Sequence, residues 1–359
     1  MRRRPYLLLA VALAAMSAHT LPVLAQADVS PLAVTLEFKD TPLRQALEML
    51  FQDSGHRFQI EEGATGVVNA LLNEVPWEQA LRVILASQDL RSRRQGDVYY
   101  ISRRPGIGVT ADPRIAPEVV RDVKEAADAT VAFFQDTYGL ELTRFVGIIL
   151  VTDKEAYRQA LTDTVKMSPK WIDRTVEYSG GISWGNYVVS RNVGLHITRP
   201  ERQRDIIHEI VHQYQSDIAA SDARGILTWV REGMADAIAA QVLDKTGLRT
   251  MEDDRQGWLS LARKYKAFPE FSALNDLNGW YAAQDRYGSW CPDATAYLAV
   301  DLLVQRKGHD ALIAYLRSAK TQDAASAFQD AFGVSLDDFT RDFAAYLNGL
   351  LARGGPSSR

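Results

Sequence analysis

The stretch whose reading decides this chain is His208-Glu209-Ile210-Val211-His212. Two residues four apart on a helix lie about 40° apart around its axis, so both imidazoles project from one face. That spacing lets the pair grip one metal ion, with Glu209 beside the ion's open position as a general base. The flanking residues favour a helix. Ile206, Ile207, Ile210 and Val211 supply an apolar side, and Asp205 and Gln213 are expected on a wet one.

The next helical pattern, Thr228 to Asp236 (TWVREGMAD), places Glu232 20 positions after His212, with Asp236 one turn further on the same face. Two histidines and one glutamate with an open position make a catalytic zinc set, and a carboxylate that orients a ligand histidine is the usual companion. His208, His212 and Glu232 are therefore the expected ligands of one Zn²⁺ per chain, and Asp236 the residue that orients a ligand histidine. HExxH, a loop and W-x-x-E-G-x-A-D together resemble the gluzincin metallopeptidases, most of all the peptidase-MA-like domains of bacterial envelopes. The resemblance runs from about Pro117 to Leu350, and the two helices carry its specificity.

The same domain, taken in order, predicts a helix over Glu118 to Tyr138 stopped by Gly139, and a central strand over Phe145 to Thr152 (FVGIILVT). Asp153 is expected to cap a helix over Lys154 to Leu161, and Trp184 to Val189 reads as a strand. Arg191 and Asn192 then turn into a second strand, Val193 to Ile197, on which His196 is read as structural. In gluzincins a strand ahead of the metal helix is the sheet edge along which peptide lies. The resemblance puts Trp184, Gly185 and Asn186 there as substrate-binding residues. Arg199, Arg202 and Arg204 are expected in solvent.

Further on, Met251 to Tyr265 reads as a helix, Phe268 to Asn278 as an irregular connection, Asp293 to Arg306 as a helix, and the chain after Gly308 as two more. Aminopeptidase-type relatives place a tyrosine near such a helix start, where its hydroxyl steadies an oxyanion. Here that position falls close to Asp293, which leaves Tyr297 and then Tyr287 as the tyrosines for the role. No Gly-x-Met-Glu-Asn strand of the aminopeptidase type occurs.

Met1 to Ala27 has three arginines, an apolar stretch over Leu7 to Met16 too short to span a bilayer, and small residues at Ala25 and Ala27. It reads as a cleaved secretory signal, cut after Ala27 or Ala25, with no membrane span in the mature chain. The full chain holds 41 basic and 45 acidic residues; without Arg2, Arg3 and Arg4 the balance is 38 against 45, a net −7. An acidic chain argues against a nucleic-acid partner. Cys291 is the one cysteine, so no intramolecular disulfide can form, and a buried thiol is expected.

Residues 28 to 104 read as a separate module. Val34, Leu36 and Phe38 alternate as a strand, and Thr41 and Pro42 are expected to open a helix with Leu43, Ala46, Leu47, Leu50 and Phe51 on its apolar face. The pattern recurs at an offset of 34, where Phe38 to Leu50 (FKDTPLRQALEML) matches Leu72 to Ile84 (LNEVPWEQALRVI). Gln95, Gly96 and Asp97 then turn into a strand over Val98 to Ile101. Two helix-and-strand halves expected to share one sheet resemble the short N-terminal domain of secretins and TonB-dependent transporters. That resemblance implies a protein-interaction role in a Gram-negative-type envelope. Residues 105 to 117, with three prolines and two glycines, read as a linker, and 351 to 359 as a polar tail.

The resulting expectation is an α+β chain: a small α/β sandwich-like module, then a mostly helical gluzincin-type domain over 118 to 350 with a small N-terminal sheet. The resemblance implies a periplasmic or secreted zinc metalloprotease, a hydrolase acting on peptide or protein with Glu209 as base, and an envelope partner for the first module. The alternative is a catalytically inactive binding or scaffold protein on the same fold.

Overall fold

In the computed structural model the described residues are 32–61, 63–191, 198–220 and 225–352. The signal segment, His196 and most of the polar tail lie outside them. The chain is of mixed α+β class and divides into two compact units, one up to Ser102 and one from Arg103 onward.

In the first unit, β1 (Ala33–Pro42), α1 (Leu43–Phe51) and β2 (Arg57–Ile60) are followed by β3 (Val67–Pro76), α2 (Trp77–Ala86), β4 (Leu90–Gln95) and β5 (Val98–Arg103). The repeat is visible in the backbone. Asp40 and Glu74, at offset 34, both take positive φ (46° and 50°), and Pro42 and Pro76 precede the helices with φ −54°. The first amide of α1, Leu43 N–H, donates to the Gly66 carbonyl at 2.9 Å, and its counterpart Trp77 N–H donates to Leu32 at 2.7 Å. Those exchanged bonds satisfy orphan helix amides that Thr41 was expected to cap; the Thr41 hydroxyl turns instead to the Lys39 carbonyl.

The halves do not share one sheet. β1 pairs antiparallel with β3, while β2, β5 and β4 form a second sheet in that order, with β2 parallel to β5. The first strands of the two halves pair with each other, and the strands after the helices make the second sheet. Phe51, Trp77 and Tyr99 meet edge-on in the core, with ring centroids 4.9 to 5.6 Å apart. Each such buried side chain contributes roughly 1.5–3 kcal/mol. This core is complete within the unit, so residues 28–104 expressed alone are expected to give one cooperative thermal transition without metal. A broad, non-cooperative melt would show that the unit needs the rest of the chain.

The second unit begins with β6 (Gly106–Ala111), where a linker was expected. Its glycines belong to a parallel strand pairing: a Cβ on Gly108 would stand 2.5 Å from the Phe145 ring of the neighbouring strand. Then come α3 (Pro117–Tyr138), closed by Gly139 at φ 62°, and β7 (Phe145–Leu150). Asp153 caps α4 (Lys154–Gln159) by accepting from Ala156 N–H, and a π-helical turn, Ala160–Thr164, follows. After α5 (Pro169–Tyr178) the expected Trp184–Val189 strand is broken. Gly185 takes φ 56° and turns the chain between β8 (Gly181–Trp184) and β9 (Tyr187–Ser190). The sheet order is β6-β7-β9-β8. β7 is parallel to both neighbours, and β8 is antiparallel to β9 at the edge.

The helical body holds α6 (Arg199–Ala219), opened by a capping box between Thr198 and Glu201, then α7 (Thr228–Lys245) and α8 (Met251–Ala262). A short 3₁₀ turn at Phe271–Asn275, within the stretch expected to be irregular, leads to α9 (Leu277–Tyr287) and to α10 (Trp290–Lys307). Three helices follow Gly308 where two were expected: α11 (Asp310–Ser318), α12 (Ala324–Phe332) and α13 (Leu336–Ala352). The extra break comes from Asp323, whose carboxylate caps α12. Most of α7 is buried, because α6 and α10 pack against it. Cys291 is buried and free.

Candidate metal centre

His208 and His212 share one face of α6, and α7 lays Glu232 across them. The Nε2 atoms of the two histidines are 3.1 Å apart, and Glu232 Oε2 is 3.1 Å from His212 Nε2 and 3.3 Å from His208 Nε2. Atoms bound tetrahedrally at about 2.0–2.1 Å from one zinc are separated by roughly 3.3 Å, so the triangle fits that ion. It is the one His/Cys/Asp/Glu group of this kind among the described residues.

The second nitrogen of each histidine is also accounted for. His208 Nδ1 lies 2.8 Å from Asp236 Oδ1, and His212 Nδ1 lies 2.8 Å from Gln215 Oε1. A carboxylate and an amide oxygen can only accept, so both Nδ1 atoms donate, and both Nε2 atoms face into the triangle. Gln215 is held in turn by donating its amide to the Arg231 carbonyl at 2.8 Å. It stands one helical turn after His212, a local signal that the sequence reading left unused.

Three expected exposures are reversed. Gln213 is buried, donating to Ser183 Oγ at 2.6 Å and to the Tyr187 carbonyl at 3.2 Å, because the β8–β9 hairpin packs on that side of α6. Arg202 is held by Asp122 at 2.6 Å and Arg204 by Asp236 at 2.6 Å, since α3 and α7 cover the start of α6 with carboxylates. Arg199 does stay half-exposed, paired with Asp122 and Glu125.

Charge is tightly coupled here. Burial, with the charges around it, pushes the Glu209 carboxyl up to about 7. Burial pulls His208 down, but the Asp236 carboxylate outweighs it and holds the imidazole well above its ordinary value. Burial and the Arg231 guanidinium lower His212. Burial opposes ionisation of Glu232, yet His212 and Arg231 keep it well below the usual carboxylate range. A site holding its carboxylate ionised and one imidazole neutral in this way suits a divalent cation.

A Cβ placed on Gly181 would come within 3.3 Å of Glu209 Oε1, so the edge strand β8 begins against that carboxyl. Trp184 ends the same strand and is 40% exposed, whereas Gly185 and Asn186 form the turn, with the Asn186 carbonyl taken by Gly147 N–H. Tyr297 is 4% exposed and stacks on Trp258 at 5.4 Å. Burial and the carboxylates of Asp254, Asp301 and Asp236 raise its hydroxyl. Tyr287 ends α9 with the Arg286 guanidinium 5.2 Å over its ring. The tyrosine whose hydroxyl feels Glu232 is Tyr281, raised by burial first and by that charge second, with Arg174 stacked 4.3 Å over its ring. Nothing short of α9 singles it out.

Asp293, in the first turn of α10, is pushed up to about 8 by burial and by Asp236 and Glu232. An acid whose folded pKa is raised binds more protons when folded, so stability falls as pH rises from about 4 through 8. In chelator-treated protein, Asp293→Asn is expected to remove that fall, a gain of roughly 1–3 kcal/mol at pH 9 against none at pH 4. Thermal midpoints measured across this range would show the same slope in both proteins if the side chain is solvated.

No family model matches the chain. Over 71 residues, 20% of its length, it is 31% identical to the type IV pilus biogenesis and competence protein PilQ of Neisseria meningitidis serogroup A. Over 68 residues, 19% of its length, it is 32% identical to the DNA utilization protein HofQ of Escherichia coli K12. The chain spans 9% of the first relative and 16% of the second. Among the described residues no helix is long and apolar enough to cross a membrane. These similarities support a secretin-like N-terminal unit.

Proposed function

We propose that this chain is a zinc-dependent peptidase of the cell envelope, carrying a secretin-like module that docks on an envelope protein. The observation that carries the reading is the convergence of His208 Nε2, His212 Nε2 and Glu232 Oε2 with Glu209 alongside. When bound, zinc supplies a Lewis acid that polarises a carbonyl and acidifies a water. Glu209, between α6 and the start of β8, takes the proton and passes it to the leaving amine. Asp236 and Gln215 hold the two imidazoles in the donating tautomer at Nδ1. The outer edge of β8, the last strand of its sheet among the described residues, offers backbone groups to an extended peptide beside Glu209. The relatives' similarity to the first unit is what supports an envelope partner and an envelope address for the chain.

The test is metal analysis of the purified chain together with cleavage of a peptide library. One zinc per chain and hydrolysis abolished by a chelator are expected. A chain that binds no metal, or one whose cleavage is indifferent to the chelator, would remove this reading.

A further inference from the structure

Arg204 sits one turn before His208 on α6 and is nearly buried, its side chain 13% exposed. One guanidinium nitrogen lies 2.6 Å from Asp236 Oδ1, the same oxygen that faces His208 Nδ1 at 2.8 Å. Another lies 3.5 Å from Asp254 Oδ1, and the guanidinium carbon stands 4.8 Å over the Trp258 ring. Asp254 and Trp258 both come from α8, so this single side chain ties α6, α7 and α8 together behind the histidines. The far oxygens of both carboxylates, Asp236 Oδ2 and Asp254 Oδ2, are buried without a hydrogen bond.

Resting on the metal reading above, we propose that Arg204 is a positioning residue for that site. Its guanidinium, shared between Asp236 and Asp254 and lying over the Trp258 ring, fixes Asp236 Oδ1 where it takes the His208 Nδ1–H. His208 then presents Nε2 to the metal.

The physical reason is orientation as much as charge. Asp236 uses only one oxygen, and rotation about its side-chain bonds would exchange that oxygen for the unpartnered one. A planar fork with fixed donors opposes this rotation, which a point charge does less well. The indole face in turn keeps the fork in its plane. Arg204 also supplies positive charge to the two carboxylates, with Arg249 a further 3.6 Å partner of Asp254 Oδ1.

Full-length protein and zinc are the test, with affinity read by competition against a chromophoric chelator. Arg204→Gln combined with Asp254→Asn removes one charge of each sign, so the buried net charge is unchanged. This variant is expected to bind zinc about 10- to 100-fold more weakly, with its metal-free melting temperature near wild type. Asp254→Asn alone keeps the Arg204–Asp236 contact and is expected to stay within about threefold of wild type, well short of the loss that follows when a ligand's orienting partner goes. The His208 Nδ1–H proton resonance of the zinc-loaded protein should shift in the double variant only. Should the double variant fail to fold, Arg204→Lys decides, with a weakening of about tenfold expected because the fork is lost. Wild-type affinity in the variant that folds, with an unmoved resonance, would make Arg204 a counter-ion and overturn the proposal. A wild type that binds no zinc would remove the metal reading itself, and this proposal with it.

Discussion

Glu209→Gln is expected to leave zinc near one per chain while peptide hydrolysis falls by about 10²-fold or more. The amide keeps the size of the side chain and its place against Gly181, but it cannot take a proton. Glu209 belongs to no ligand pair in the structure, so its replacement leaves His208, His212 and Glu232 within 3.3 Å of one another. Glu232→Gln should do the reverse and lower zinc occupancy, because a neutral amide replaces an anionic ligand. His208→Ala and His212→Ala should empty the site and lower thermal stability in zinc-containing buffer, since bound metal favours the folded state. Metal content and initial cleavage rates on the same preparations separate these cases. If Glu209→Gln cleaves as fast as wild type while binding zinc, the base is elsewhere and the scaffold reading of the fold gains ground.

Gly233→Ala should damage both the fold and the ligand set. A Cβ at Gly233 would stand 2.4 Å from the carbonyl oxygen of Ala296 and 2.7 Å from its carbon. Both are backbone atoms of α10, so no side chain can rotate aside. The helices α7 and α10 must separate, at a cost of about 3 kcal/mol or more, against the 1–3 kcal/mol usual for overpacking. Because Gly233 adjoins Glu232, the separation also shifts a ligand. A melting temperature lower by roughly 5–10 °C is expected, with weaker zinc binding alongside. A variant that melts with wild type would mean that the two helices have slack at this crossing.

The two histidines, the glutamate between them and the second helix with Glu232 and Asp236 were legible because helical geometry is local: residues three or four apart share a face in any protein. The same holds for the repeat at offset 34, whose two halves share a positive-φ residue and a proline-led helix start. Other features were not local. Glycines at 106 and 108 show no strand pattern of their own, yet β7 takes that segment as a neighbour, and Gly185 folds the run at Trp184 back on itself. The exposure of Arg204 and Gln213 likewise depended on what packs over α6, which no pattern within α6 states. Sequence by itself therefore determined which side chains could hold a metal together. Only the tertiary structure decided which carboxylates bury Arg204 and which strand meets Glu209, because each of these is a contact between segments far apart along the chain.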